Sequence, residues 1–152
     1  MNSGGEKALI AYLDTSAVVP LLVAEPATGI CQRIWDDADS VVSCRLLYVE
    51  TAAALAQARR LHRLTAREHT AALTLLDDLW AQIDVVEVDD ALVRHAAELA
   101  HHLALRGYDA VHCASAHQLA DPDLIAATGD GRLLAAWRQL GLATVETKPP
   151  DP

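Results

Sequence analysis

The stretch ALIAYLD, residues 8–14, decides the fold of this 152-residue chain. Six uncharged residues that end in an aspartate are typical of a short strand buried on both faces of a sheet. Further apolar or β-branched runs of strand length follow at residues 40–44, 84–88, 123–128 and 142–146. Helical patterns separate these runs, at about residues 15–23, 27–38, 46–62, 66–82, 90–105, 110–120 and 131–140. The alternation predicts a doubly wound α/β fold with a parallel sheet.

Length and composition predict one domain, residues 1–147, followed by a disordered tail at residues 148–152. Hydrophobic residues make up 52% of the chain, which is enough for a sizeable core. The apolar stretch near the start is split by Asp14 and Pro20, which argues against a membrane span. Three cysteines without paired spacing argue against a disulfide framework. We therefore expect a soluble, cytoplasmic protein.

The charge balance is acidic, with 21 acids against 12 bases and a net charge of −9. Taken alone, this disfavours a nucleic-acid partner, because phosphates attract basic surfaces. However, ten of the bases are arginines, and five of these lie between Arg45 and Arg67. Arginine binds phosphate through two parallel hydrogen bonds. An acidic pocket beside a basic strip would give the same total, so the net charge does not exclude RNA.

Four carboxylates are candidate site residues because of where the predicted elements place them. In an open parallel sheet, active groups gather at the carboxyl ends of the strands. Asp14 ends the first strand and Asp130 follows the fourth. Glu50 lies early in the helix after the second strand, and Asp109 opens the predicted 110–120 helix.

Each of these acids also has a purely structural interpretation. Asp109 could be a helix N-cap, Asp130 a turn residue between two glycines, and Asp14 the cap of the helix that follows it. Glu50 is harder to explain in this way, because its neighbours one helical turn away are leucines and alanines. It shares a face with apolar residues, so lining a cleft is the simpler explanation.

Taken together, the four acids predict a metal site. Two carboxylates about 4 Å apart repel by a few kcal/mol at an effective dielectric constant of about 20. Lys7 and Lys148 lie near the ends of the chain, so no lysine is expected to compensate that repulsion. A hard divalent cation such as Mg²⁺ or Mn²⁺ would do so through oxygen ligands. Such a cation can activate water and neutralise a phosphoryl oxygen, which is the chemistry of phosphodiester hydrolysis.

The segments that carry these acids resemble a known family. They are LDTSAVV (13–19), SCRLLYVETAAAL (43–55), LALRGYDAVHCASA (103–116) and ATGDGRLLAAW (127–137). No segment is specific alone, but the four in this order resemble a PIN-domain ribonuclease of the VapC toxin type. The N-terminal lead MNSGGEK is longer than the family pattern and carries no matched site residue.

The resemblance implies a PIN-like three-layer α/β/α fold with a five-stranded parallel sheet. It implies a Mg²⁺-dependent endoribonuclease, with Mn²⁺ as a substitute, that cleaves RNA by metal-activated water. It also implies a homodimer and a small antitoxin that inserts into the active groove. By the same resemblance, the catalytic acids are Asp14, Glu50, Asp109 and Asp130.

Within that implied site, the residues have different roles. Asp14 and Asp109 are predicted to hold the metal directly, and Asp130 adds either a further ligand or a contact to those ligands. Glu50 orients or deprotonates the attacking water. Two hydroxyl residues, Ser16 and Thr128, match the positions that orient the acids.

The sequence predicts less specific roles for an arginine and the histidines. Arg106, three residues before Asp109, could reach a phosphate near the metal. The histidines lack zinc-ligand spacing, and for His112 a packing role is the expected one.

Three other functions are compatible with the pattern. The first is aspartyl-phosphate chemistry on Asp14, as in receiver domains or haloacid-dehalogenase-like phosphatases. Both classes need a lysine near the phosphoryl group, and the phosphatases also need a second aspartate at the position of Ser16. A PIN nuclease of the housekeeping type would share the four acids. A non-catalytic binding module would keep the fold without needing them.

Overall fold

The computed structural model describes residues 8–151; the N-terminal lead (1–7) and Pro152 lie outside the described residues. Its strands are β1 (Ile10–Leu13), β2 (Ser40–Cys44), β3 (Ile83–Val86), β4 (Leu124–Thr128) and β5 (Ala143–Glu146). Its helices are α1 (Thr15–Leu22), α2 (Thr28–Asp37), α3 (Leu47–Arg60), α4 (Ala66–Trp80), α5 (Asp90–Leu103), α6 (Gly107–Leu119) and α7 (Gly131–Gln139).

The strands form one sheet in the order β3-β2-β1-β4-β5, and every pair of neighbours is parallel. The predicted fold class is therefore confirmed. The chain first builds the sheet to one side of β1 and then crosses to the other side for β4 and β5. The carboxyl ends of β1 and β4 consequently flank the point where the strand order reverses, which is where open α/β sheets bind ligands.

Helices cover both faces of the sheet because β1 alternates its side chains between two cores. Tyr12 points into one core, which the apolar faces of α5, α6 and α7 complete. Ala11 and Leu13 point into the other, which is formed with α1, α2 and the start of α3. The result is the three-layer α/β/α arrangement that the resemblance implied.

Local sequence signals fix several helix ends. Thr65 and Glu68 form a capping box at the start of α4, and the Asp89 carboxylate caps α5. Gly141, with φ of +87°, follows the end of α7. Helices α5 and α6 end instead on alanines in the left-handed conformation, Ala104 (φ 53°) and Ala120 (φ 44°).

Helix α6 begins at Gly107, three residues before the predicted start at 110. Arg106 is the N-cap residue and makes no side-chain capping bond, so no polar signal marks this end in the sequence. The N-cap interpretation of Asp109 was therefore wrong. Asp109 lies inside the first turn of α6, so its carboxylate does not cap the helix.

The C-terminal residues continue from β5 without further regular structure. The Thr147 amide donates to the Thr128 carbonyl oxygen (2.9 Å), and residues 148–151 form no helix or strand. Across residues 8–151, no helix combines the length and the apolar character that crossing a membrane requires.

Candidate active site

The predicted site residues lie at the carboxyl-end edge of the sheet and differ in depth. Asp14 directly follows β1 and is only 5% exposed. The side chains of Glu50 on α3 and Asp109 on α6 are 18% and 21% exposed, and that of Asp130, before α7, is 30% exposed. One carboxylate is thus part of the interior, and three border solvent.

Asp14 is held by two hydroxyls that come from opposite ends of the chain. Ser16 donates to its Oδ1 and Thr128 donates to its Oδ2, each over 2.7 Å. Both hydroxyls also accept a backbone hydrogen bond: Ser16 Oγ from the Gly129 amide (2.7 Å) and Thr128 Oγ1 from the Asp130 amide (2.9 Å). We call these five residues the Asp14 network.

The Asp14 network fixes the direction of each hydrogen bond. Because a backbone amide only donates, each hydroxyl that accepts from one can give its own proton to the carboxylate. The Ala17 amide is the third donor to the Asp14 carboxylate, and it donates to Oδ1 at 3.2 Å. Asp14 therefore also caps α1, as the structural interpretation predicted. Burial raises the pKa of Asp14, while Thr128, Ser16 and the field of His112 oppose that shift.

Gly129 is a position of close approach in this network. A Cβ atom at Gly129 would lie 3.1 Å from Thr147 Oγ1 and 3.5 Å from Ser16 Oγ. A side chain there would press on the Thr147 hydroxyl and touch the Ser16 hydroxyl. The glycine therefore lets the loop after β4 pack directly on the end of β1.

Asp109 and Asp130 share one arginine. Arg106 Nε lies 3.5 Å from Asp109 Oδ2, and Arg106 Nη2 lies 4.0 Å from Asp130 Oδ2. We call these three residues the Arg106 cluster. The arginine side chain is 77% exposed, so the cluster is open to solvent and to an incoming anion.

The two carboxylates of the Arg106 cluster influence one another. Burial, and then the negative charge of Asp130, raises the pKa of Asp109, while Arg106 opposes the shift. Asp130 also accepts from the amides of Arg132 (2.9 Å) and Leu133 (3.0 Å), so it is the N-cap of α7. The capping role therefore uses Oδ1 and leaves Oδ2 facing Arg106.

Glu50 is connected to the core through His112. Glu50 Oε1 lies 2.7 Å from His112 Nε2, and His112 Nδ1 lies 2.7 Å from the Tyr12 hydroxyl. Cys44 Sγ is a weaker partner of the same Nδ1, at 3.7 Å. His112 is 2% exposed and Tyr12 is fully buried. We call the chain of Glu50, His112 and Tyr12 the Glu50 relay.

The sequence interpretation missed this relay, because His112 was expected only to pack. The signal that could have found it is spacing: His112 follows Asp109 by three residues and therefore lies on the same face of α6. Its partners are 62 and 100 residues away in the chain, so no local pattern reports them.

The predicted metal ligands do not form a complete set of direct ligands. Within residues 8–151, no three Asp, Glu, His or Cys side chains are grouped so that they could hold a metal ion. Among the described residues, Asp14, Asp109 and Asp130 are thus not preformed as a three-residue cage, and their role as metal ligands stays a prediction. Hydroxyls donate to both oxygens of Asp14, and Arg106 lies beside the other two carboxylates.

The donor set nevertheless fits a hard divalent cation. All the available donors are carboxylate oxygens, which Mg²⁺ and Mn²⁺ prefer. Mg²⁺ in phosphate-handling enzymes is held by one or two carboxylates and completes its shell with water and substrate phosphate. A pair of these acids therefore suffices, and a three-residue protein cage is not required.

A surface groove of about 410 Å³ runs beside Glu50. Its lining combines apolar side chains of α3 with Thr15, Gln57, Arg60 and Tyr108. Tyr108 is 58% exposed and immediately precedes Asp109. The groove therefore offers an aromatic face and a cation next to the acids.

Comparison with known proteins places the chain within a family. The PIN domain model matches residues 11–136. Ribonuclease VapC45 of Mycobacterium tuberculosis is 44% identical over 124 residues, which cover 82% of this chain and 86% of that protein.

Two solved structures share the fold. VapC20 of Mycobacterium tuberculosis, described as a sarcin-ricin loop cleaving toxin, has a TM-score of 0.66 at 23% identity, over 90% of this chain and 98% of that one. A chain of a toxin-antitoxin complex from Klebsiella pneumoniae has a TM-score of 0.62 at 14% identity, over 90% and 97%.

Proposed function

The chain belongs to the PIN-domain family, and from that membership we propose that it is a divalent-metal-dependent endoribonuclease, the toxin of a toxin–antitoxin pair. The observation that supports this most is the convergence of the Asp14 network and the Arg106 cluster at one sheet edge. Both stand on sequence segments within the matched region. The 44% identical relative, which is named a ribonuclease, supports the toxin type over a housekeeping nuclease.

Asp14, Asp109 and Asp130 are the residues that would hold the cation, with no more than two of them bound directly. When bound, the cation would supply an activated water and neutralise charge on a phosphoryl oxygen. Mg²⁺ is the proposed ion and Mn²⁺ a substitute, because both favour oxygen ligands. Ser16 and Thr128 would keep the Asp14 carboxylate in one orientation during turnover.

The remaining steps belong to side chains of this chain. Glu50 lines the groove, where its carboxylate would accept a proton from the attacking water. Arg106 would bind a phosphate oxygen, because its guanidinium is exposed and already positioned between two acids. In-line attack on the phosphodiester would leave a 5′-phosphate on the product.

The same fold has surfaces suited to protein partners, and we propose a homodimer and a small antitoxin. An apolar groove of about 370 Å³ lies between α5 and α6. Val93 and Tyr108, which line it, are 48% and 58% exposed. Exposed apolar side chains around a groove are typical of protein–protein interfaces.

The alternative of aspartyl-phosphate chemistry on Asp14 is disfavoured on two grounds. Ser16 stands where the phosphatases have a second aspartate, and within residues 8–151 Asp14 forms no ion pair with a lysine.

Cleavage of a short RNA by the purified chain, with and without EDTA, tests the proposed function. We expect cleavage in Mg²⁺ or Mn²⁺, its loss in EDTA, and its return when Mg²⁺ is added in excess. Asp84, an exposed acid on β3, provides a matched control, because Asp84→Asn removes a carboxylate far along the sheet. Cleavage that persists in EDTA, or that Asp84→Asn abolishes as completely as Asp109→Asn does, would contradict the proposal.

A further inference from the structure

We propose that His112 is a positioning residue for the hydrolytic reaction: it holds one oxygen of Glu50 from the buried side and thereby presents the other oxygen to the groove. This inference rests on the proposed function, because it assigns Glu50 the handling of the attacking water. It adds a residue that acts through Glu50 rather than on the RNA.

The hydrogen-bond geometry supports this role. An ionised carboxylate only accepts, so the 2.7 Å contact requires His112 Nε2 to carry the proton that Glu50 Oε1 receives. Within residues 8–151, Glu50 Oε2 has no side-chain partner, and Glu50 lines the groove next to Thr15 and Tyr108. One oxygen is thus fixed and the other is available to water.

The ring of His112 is itself fixed on its other side. Tyr12 contacts Nδ1 at 2.7 Å and lies edge-on to the imidazole, with ring centroids 5.8 Å apart. Burial raises the pKa of Tyr12 far above its usual range, so the phenol keeps its proton near neutral pH. Because Tyr12 belongs to β1, the relay connects Glu50 to the central strand of the sheet.

The charges around His112 favour a protonated ring. Burial alone lowers the pKa of His112, but contacts with Tyr12, Cys44 and Glu50 outweigh this effect and raise it well above its ordinary value. The groups that face the ring are Tyr12 from β1, Cys44 from β2 and Glu50 from α3. His112 is thus a basic side chain that contacts Glu50 directly, although the two residues lie 62 positions apart in the chain.

Steady-state cleavage by His112→Phe, which removes both hydrogen bonds at similar size, tests the role. We expect kcat to fall by about 10- to 100-fold, as for other residues that orient catalytic groups, while KM for RNA changes little. His112→Gln, which keeps a donor near the Nε2 position, should recover part of the loss.

A double variant separates positioning from a general structural effect. In a Glu50→Gln background, adding His112→Phe should cost little more, because both changes disable the same group. His117→Gln is the matched control: His117 lies on α6 and pairs with His95 at 3.0 Å, away from Glu50. Unchanged kcat in His112→Phe, or a full additional loss in the double variant, would overturn the proposal.

Two measurements remain decisive if His112→Phe does not fold. Tyr12→Phe leaves the His112–Glu50 bond in place but frees the ring, and we expect a smaller loss of kcat than in His112→Phe, again with little change in KM for RNA. ¹⁵N NMR of the wild-type histidines should show a protected His112 Nε2–H that changes in Glu50→Gln. The absence of that signal overturns the relay even if cleavage is observed, whereas absence of cleavage with the signal present counts only against the proposed nuclease function.

Discussion

The Asp14 network and the Arg106 cluster hold carboxylates in opposite ways. Asp14 is buried, and hydroxyls from both ends of the chain fix its two oxygens at 2.7 Å. Asp109 and Asp130 border solvent and share one exposed arginine at 3.5 and 4.0 Å. The comparison indicates that the fold itself fixes one acid, while the other two keep oxygens that a ligand can recruit.

The energies of the two arrangements differ accordingly. A buried hydrogen bond to a charged group contributes about 1.5–3 kcal/mol. An exposed ion pair such as that of Arg106 contributes about 0–1 kcal/mol. Substitutions in the Asp14 network should therefore change both stability and activity, whereas substitutions in the Arg106 cluster should change activity more than stability.

The largest effect is expected for Asp14→Asn. Removing the one negative charge that the core orients should cost several kcal/mol of transition-state stabilisation, or about 10³-fold in kcat. Single-turnover RNA cleavage at saturating Mg²⁺ measures the loss. If Asp14→Asn keeps a tenth or more of the wild-type rate, the network is structural and not part of the site.

A smaller, mixed effect is expected for Thr128→Val, which keeps the shape but removes the hydroxyl. Asp14 Oδ2 then loses a donor and the Asp130 amide loses its acceptor, so the free energy of unfolding should fall by about 1–3 kcal/mol. Cleavage should fall by about 10- to 100-fold. Guanidinium denaturation and the cleavage assay measure the two losses on one preparation.

Thr144→Val is the matched control for this substitution. Thr144 lies in β5, and its hydroxyl accepts a hydrogen bond from the exposed Arg138, at 3.1 Å. We expect both stability and activity close to wild type. Equal losses in Thr144→Val and Thr128→Val would show that the effect reflects β-strand threonines in general.

The smallest effect concerns the stability of Asp109→Asn in EDTA. Burial and Asp130 raise the pKa of Asp109, so its ionised form is disfavoured in the folded state. The stability contributed by the neutral acid is full below the unfolded pKa of about 3.9 and is lost as pH rises through the folded value. Asn stays neutral, so we expect the variant to match or exceed wild-type stability at pH 7, by less than about 1 kcal/mol, and to show no advantage at pH 3.

Denaturation curves at both pH values measure this difference. A variant less stable than wild type at pH 7 would mean that the carboxylate of Asp109 is a favourable partner of Arg106. In that case the ion pair in the Arg106 cluster would stabilise the folded state, as the hydrogen bonds of the Asp14 network do.

The sequence predicted the sheet well because parallel strands buried on both faces leave a strong local signal. All five strands lie within two residues of their predicted starts and ends. The start of α6 was missed because Arg106 caps it without a side-chain bond. The Arg106–Gly107 pair lacks the serine, threonine, aspartate or asparagine that usually marks the start of a helix in a sequence.

The site was only partly predictable for a different reason. Asp14, Glu50, Asp109 and Asp130 stand at strand ends or in first helical turns, which are positions that a sequence reveals. Their partners are distant in the sequence: the Thr128–Asp14 bond joins residues 114 positions apart, and the His112–Glu50 bond joins residues 62 positions apart. Which hydroxyl or imidazole meets which acid depends on the tertiary packing.

The closure of the Asp14 network across the chain has a consequence during translation. The Thr128–Asp14 bond joins residues 114 positions apart, so the two halves of the network are synthesised at different times. A nascent polypeptide that still holds β4 inside the ribosome tunnel cannot orient Asp14 through Thr128. The site therefore stays incomplete on the ribosome until the segment that follows β1 by more than a hundred residues has folded against it.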